Sequence, residues 1–196
     1  MRKRNFLGIF DINAPVILGL TMISLFLLAA NALTNGAANR FFGVHFTSWL
    51  SPLMYLRLFT HTLVHADFSH YIGNFLLLLT VGPLVEEKYG SHKLIVMFLV
   101  TSAVTGLITV IFFRNIMLLG ASGLVFMLIL LSSFTNLRGG KIPVTVVLVA
   151  VLYIGREVAG GLFLTDNISQ LSHIVGGLCG AAFGVIYNKN KLLRGG

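Results

Sequence analysis

Charged residues are scarce in this chain of 196 residues. Lys, Arg, Asp and Glu together make up 10% of it, whereas soluble globular domains carry about 25%. Hydrophobic residues make up 56%, and the mean hydropathy is +0.90. This composition excludes a soluble domain and predicts a single membrane domain over residues 1–196.

Cysteine and acidic residues are also few. The one cysteine, Cys179, cannot form an intramolecular disulfide, and we expect a buried thiol. Six acidic against 14 basic residues give a net charge of +8. The basic residues form short clusters between apolar runs, which favours membrane topology and a lipid bilayer, with no nucleic acid, as their explanation.

Apolar runs predict an all-α, polytopic protein of six transmembrane helices. The runs are 12–33, 69–85, 94–113, 122–134, 143–164 and 168–187. With both termini in the cytoplasm, only Arg40, Arg57 and Arg114 lie outside, and Arg156 lies within a span. The positive-inside rule selects this orientation, and the compact core favours a bacterial plasma membrane.

Two segments near the N-terminus need separate interpretation. The basic run at residues 2–4 before an apolar stretch also resembles a cleaved secretory signal, but the stretch is longer than a signal core and five further spans follow. The long segment 34–68 is rich in aromatic residues, among them Phe41, Phe46 and Trp49. We expect it to form a partly membrane-embedded outer loop between helices 1 and 2.

Polar side chains within spans are costly in a bilayer and are functional candidates. They fall in three groups. One begins at His61 and His65 and runs into the second span at His70 and Asn74, one is the Gly-Ala-Ser-Gly stretch at 120–123 at the start of the fourth, and one is Ser172-His173 followed by Gly176, Gly180 and Gly184 in the sixth. The spacing places His173 on the same helix face as the glycines, which allow close helix approach.

The second and third groups can meet at one depth. At ~1.5 Å per residue, Ser122 lies roughly 21 Å from Asn136, and His173 lies roughly 22 Å from Asn188. The short fourth helix must begin at a buried break, so Gly120 should line a cavity and Ser122 should lie at a helix N-terminus that favours negative charge. A serine with a histidine base at such a site predicts a serine hydrolase.

Four motifs together resemble the rhomboid intramembrane serine proteases. They are H-x3-H-x4-H-x3-N from His61, G-x-S-G from Gly120, H-x2-G-x3-G from His173, and G-x3-E-x3-G from Gly82 through Glu86. The resemblance covers about residues 57–184 and implies a rhomboid-type bundle, with its protease core at about 50–188.

The resemblance implies a mechanism and a substrate class. Ser122 would be the nucleophile and His173 the general base, without an acidic third member. The Ser122 N–H with the His70 and Asn74 side chains would form the oxyanion hole. The substrate would be a transmembrane segment of a single-span protein, cut near its outer end, and no metal or organic cofactor is implied.

Three positions depart from the family's pattern. Leu56-Arg57 stands where Trp-Arg is common, and Ser172 stands where Ala often precedes the catalytic histidine. Phe126 replaces a tyrosine found in many bacterial members; it keeps the ring that stacks on His173 but lacks the hydroxyl. None of these changes removes a proposed catalytic atom.

Several residues have other interpretations. Ser122 could be an ordinary helix N-cap, and His70 and Asn74 could join helices by hydrogen bonds. His61 and His65 are spaced like a zinc pair, but the H-E-x-x-H pattern is absent and we interpret them as structural. We interpret Glu86 as a hydrogen-bond partner at a helix end. The roles of Arg156 and Glu157, which could mark a substrate gate, stay open.

Two other functions compete with proteolysis. A proteolytically inactive relative that binds transmembrane segments would keep the fold but would ordinarily lose Ser122 or His173, and both are present. A small transporter would also carry buried polar residues, but no inverted repeat is evident.

Overall fold

A computed structural model describes residues 12–134, 144, 148, 151, 152 and 167–193, the last range with side chains for 170–189. In these ranges the structure is helical, with one isolated antiparallel bridge between Val44 and Leu118 and no strand. The predicted all-α class is confirmed. Most of the predicted fifth span at 143–164, with Arg156 and Glu157, lies outside the described residues.

Seven helices are numbered here in chain order over the described ranges. They are α1 Pro15–Leu33, α2 Ala37–Phe42, α3 Pro52–Thr60, α4 Phe68–Tyr89, α5 Ser91–Phe112, α6 Ser122–Ser132 and α7 Asn167–Leu193. Helices α1, α4 and α5, together with Gln170–Lys189 of α7, are long and apolar enough to cross a membrane. The chain is therefore an integral membrane protein.

Local sequence explains where α4 begins and ends. The Asp67 carboxylate accepts a hydrogen bond from the His70 N–H at 2.8 Å and caps the helix. The predicted span ends at residue 85, but the helix continues through the polar residues that follow and ends at Tyr89. Its C-cap is Gly90, whose φ of 84° favours glycine.

The segment between α1 and α4 contains regular secondary structure. It contains α2, α3 and a 3-10 turn at His61–Leu63. The prediction of one long loop is thus replaced by two short helices, and Pro52 in the first turn of α3 favours this. Phe41, Trp49 and Tyr55 are exposed along the segment.

Helix α6 lies at the centre and is buried along nearly its whole length. It packs against α4, α5 and α7. A helix that is apolar on every side belongs in the interior of a bundle, and the sequence of α6 has this character. Ser122, the first residue of α6, therefore lies at one end of the central helix of the bundle.

Glycines bring α6 and α7 into backbone contact. A Cβ atom on Gly176 would overlap the Gly123 carbonyl, and one on Gly180 would overlap the Met127 carbonyl. A Cβ on Gly184 would meet the ring of Phe134. The predicted close approach of the sixth span's glycine face is confirmed. We refer to these contacts as the helix seam.

Glu86 stabilises the start of a different helix. Its carboxylate accepts hydrogen bonds from the Val16 N–H at 3.0 Å and the Ile17 N–H at 3.1 Å, and from the Ser91 hydroxyl at 2.7 Å. The first N–H groups of α1 lack intrahelical partners and attract negative charge. The interpretation of Glu86 as a helix-end partner is confirmed, and the helix that it caps is α1.

Candidate active site

The connection between α5 and α6 ends in a turn at Gly120. Its φ of 111° lies in the left-handed region, where an L side chain would be strained. Ala121 is the N-cap of α6, and Ser122 is the first helical residue. Ser122 is therefore not the N-cap, which removes that interpretation. It lies in the first turn, where unpaired N–H groups and the helix dipole favour an anion.

Two histidines hold this turn in place. The Gly120 N–H donates to the His61 carbonyl at 3.0 Å, and the Ala121 N–H donates to His65 Nε2 at 3.3 Å. Burial lowers the pKa of His61 to about 4. Burial, aided by the nearby His70, also lowers the pKa of His65 to about 4. Both rings are neutral at pH 7, as an accepting Nε2 requires.

The surroundings of these two histidines favour a structural role. His61 is buried, with Nδ1 at 3.2 Å from the Arg57 carbonyl and Nε2 at 3.4 Å from the Thr105 hydroxyl. The His65 ring packs edge-on against Tyr71, with centroids 5.6 Å apart. In the part of the chain that the structure describes, no three His, Cys, Asp or Glu side chains form a metal-binding group.

His70 and Asn74 meet the turn from α4. A Cβ atom on Gly120 would lie 2.7 Å from His70 Nε2 and 3.6 Å from Asn74 Nδ2, so glycine leaves the space that these two groups need. Asn74 Nδ2 is buried and has no hydrogen-bond partner among the described residues. A buried donor without a partner is costly unless a ligand oxygen accepts from it.

His173 lies against α6 one turn after Ser122. Its imidazole stacks on the Phe126 ring, with centroids 4.3 Å apart and the planes 6° from parallel. Ser122 and Phe126 are four residues apart and share a helix face. The stack therefore brings His173 beside the face that carries Ser122. The contact of Gly176 with Gly123 sets the distance between the two helices here.

The structure thus brings the sequence-predicted residues to one end of α6. His70 and Asn74 approach from α4, His173 approaches from α7, and Gly120 and Ser122 lie between them. Gly180 lies farther along the helix seam and acts on the packing of α6 against α7.

Sequence reasoning missed two residues that support this site. Asp67 is the N-cap of the helix that carries His70, and an acidic residue directly before an apolar run could have indicated it. Thr105 contacts His61 from α5, 44 positions away along the chain. No local pattern could have indicated that pair, because it depends on how α5 packs.

Comparison with known proteins gives three similarities. A family model described as a rhomboid domain matches residues 52–190. The chain is 29% identical over 167 residues to the rhomboid protease GluP of Bacillus subtilis (strain 168), covering 85% of this chain and 32% of that protein. It is 28% identical over 126 residues to the chloroplastic rhomboid-like protein 11 of Arabidopsis thaliana, covering 64% of this chain and 41% of the relative.

The chain spans about a third of the length of the first of these relatives and two fifths of the second. One relative is named a protease and the other only rhomboid-like, so their names do not decide activity. The family model covers well over half of the chain. This chain belongs to the rhomboid family, whose members are typically intramembrane serine proteases.

Proposed function

We propose that this protein is an intramembrane serine endopeptidase that cleaves transmembrane segments of single-span membrane proteins. The observation that carries the proposal is the convergence of His70, Asn74 and Gly120 beside Ser122, with His173 stacked one turn further along α6. Nucleophile, base and oxyanion donors are the three components that acyl transfer requires.

In the first half of the reaction, Ser122 Oγ attacks the scissile carbonyl carbon and its proton passes to the His173 imidazole. The carbonyl oxygen becomes an oxyanion, which accepts hydrogen bonds from the Ser122 N–H and from His70 and Asn74. The unpartnered Asn74 Nδ2 supports this assignment, because an oxyanion would satisfy it. Protonated His173 then gives its proton to the leaving amine, and an acyl-enzyme remains.

In the second half, water replaces the amine. His173 accepts a proton from the water as the oxygen attacks the acyl carbon, and the same donors stabilise the second oxyanion. The Ser122 oxygen leaves and takes the proton back. The stack on Phe126 holds the imidazole plane through both halves, which is the orienting task that an acidic third residue performs in a triad.

The membrane arrangement belongs to the same proposal. Six transmembrane helices form a single rhomboid-type domain over 1–196, with both termini in the cytoplasm of a bacterium and the core in its plasma membrane. The segment that carries α2 and α3 lies partly in the outer leaflet, which fits its exposed aromatic side chains. Catalysis requires no metal and no organic cofactor.

A fluorophosphonate probe tests the proposal without knowledge of the substrate, because it labels activated serines. We expect purified wild type to be labelled, and Ser122→Ala and His173→Ala to fall to about one-thousandth of wild type or less. Ser133→Ala removes a hydroxyl from the other end of α6 and should label like wild type. Retained labelling in folded Ser122→Ala would contradict the mechanism.

The oxyanion assignment has its own test. Asn74→Ala should lower cleavage of an unstable model transmembrane segment by about 10²- to 10³-fold with little change in substrate binding. If folded wild type neither labels nor cleaves such a segment, the inactive relative that binds transmembrane segments becomes the better description.

A further inference from the structure

A cavity of about 480 Å³ lies away from Ser122, between the α2–α3 segment and the connection that follows α5. Three arginines line it, Arg40, Arg57 and Arg114, together with His45 and Asn115. Its described lining residues include no acidic side chain. Three positive charges therefore line one cavity with no acidic residue among its described lining, and such a surface attracts an anion.

Among the three arginines, the buried one has no negatively charged partner among the described residues. Arg57 is 7% exposed. It donates from Nε to the Phe41 carbonyl at 2.9 Å, from Nη2 to the Arg40 carbonyl at 3.0 Å, and from Nη1 to His45 Nε2 at 3.2 Å. Every acceptor is neutral. A buried cation is normally paired with an anion, and none of the described carboxylates pairs with this one.

The other two guanidinium groups have donors to spare. Arg40 is exposed and donates from Nη1 to the Asn35 carbonyl at 3.0 Å. Arg114 is exposed, and its guanidinium carbon lies over the Phe46 ring, 4.6 Å from the ring centroid. Each guanidinium has five N–H donors in its plane, and planar donors of this kind match phosphate oxygens.

We propose that this cavity binds the phosphate of an anionic phospholipid headgroup. The apolar residues Ile116 and Met117 also line the cavity and are 48% and 38% exposed, which suits the glycerol and upper acyl chain of a lipid better than a free ion. Phe41, whose carbonyl accepts from the buried Arg57, is also exposed. The proposal concerns binding and does not depend on proteolysis.

The only tryptophan of the chain provides a reporter. Trp49 packs against Phe46, with ring centroids 5.3 Å apart, and the Arg114 guanidinium lies over the Phe46 ring. The protein is placed in phosphatidylcholine nanodiscs that contain a small fraction of lipid with brominated acyl chains. Brominated phosphatidylglycerol should quench Trp49 fluorescence more strongly than brominated phosphatidylcholine does at equal content.

The variant Arg40→Gln/Arg114→Gln should lose this preference, by about fivefold for each arginine removed. Both side chains are exposed, so the fold should persist, and Arg40→Lys/Arg114→Lys should retain part of the preference. Lys88→Gln/Lys189→Gln removes the same charge from exposed positions outside the cavity and should behave like wild type.

Three outcomes would overturn the assignment to a lipid. One is equal quenching by the two brominated lipids in wild type, and another is an unchanged preference in the Arg40→Gln/Arg114→Gln variant. The third is loss of the preference on adding inorganic phosphate at constant ionic strength, which would identify the ligand as free phosphate. Preference that survives phosphate and follows the arginines supports the lipid.

Discussion

Two regions of this protein hold their parts together by opposite means. The helix seam joins α6 and α7 through glycines that touch backbone carbonyls, as Gly176 does at Gly123. The turn before α6 is held by hydrogen bonds, one from the Gly120 N–H to the His61 carbonyl and one from the Ala121 N–H to the His65 side chain. We call His61, His65, Arg57 and their hydrogen bonds the polar network.

The difference follows from what each region must supply. Two helices in a bilayer gain little from the hydrophobic effect and associate through close packing, for which glycine suits best. A buried turn removes backbone groups from water, so the Gly120 N–H bonds the His61 carbonyl and the Ala121 N–H bonds His65 Nε2. The helix seam should therefore be sensitive to added volume, and the polar network to added charge.

The largest expected effect comes from acid and acts on the polar network. The pKa values of His61 and His65 are both lowered from 6.5 to about 4. Between those values the unfolded chain binds more protons than the folded chain. The stability that these histidines contribute is thus present above pH 6.5 and is lost as the pH falls toward 4, by about 3 kcal/mol for each residue.

Thermal unfolding in detergent across this pH range measures the loss. His65→Gln keeps an oxygen that can accept from the Ala121 N–H but cannot titrate, so it should reduce the acid sensitivity. The exposed His92→Asn serves as the control and should keep the wild-type profile. If the stability of His65→Gln depends on pH as that of wild type does, the acid sensitivity does not come from the polar network.

The next effect breaks the helix seam. Gly176→Ala places a Cβ against the Gly123 carbonyl and should destabilise the protein by about 3 kcal/mol, because backbone cannot move aside cheaply. Its neighbour Gly177 offers a matched control, since a Cβ there would lie 3.6 Å from Leu130, an ordinary contact. Unfolding by denaturant distinguishes them; equal losses would contradict the backbone contact.

A smaller loss of stability is expected from removing the polar contacts of Glu86, which lie at the start of α1 and not at the turn before α6. Glu86→Gln removes the negative charge and one acceptor from the start of α1 and should cost about 2 kcal/mol. Glu87→Gln changes the adjacent, exposed carboxylate and should be nearly neutral. Thermal unfolding compares the two. If both behave alike, the cap on α1 contributes nothing measurable.

Much of the fold was predictable because its signals are local. Hydropathy located α1, α4, α5 and most of α7, and the spacing of glycines predicted the close face of α7. The end of α4 was missed because its last turn is polar and its stop is a single glycine. The two short helices between α1 and α4 were missed because aromatic residues mark an interface without marking a backbone conformation.

The candidate site likewise has residues that the sequence identifies and contacts that it does not indicate. The motifs identify Ser122, His173, His70 and Asn74 as candidates, and the stack of His173 on Phe126 follows from helical spacing once α6 and α7 are paired. The attachment of Gly120 to His61 and of Ala121 to His65 had no signal in the sequence. Such bonds join residues more than 50 positions apart and depend on how the helices pack.

An all-α membrane protein with candidate polar residues in its interior can be predicted from the amino-acid sequence alone, because lipid excludes charge and selects apolar helices. Which of these groups come into contact depends on how the helices pack. The contact of Glu86 with α1, the two histidines that hold the turn before Ser122, and the arginine-lined cavity all join distant segments. Helix packing sets such distances, and no local pattern encodes them.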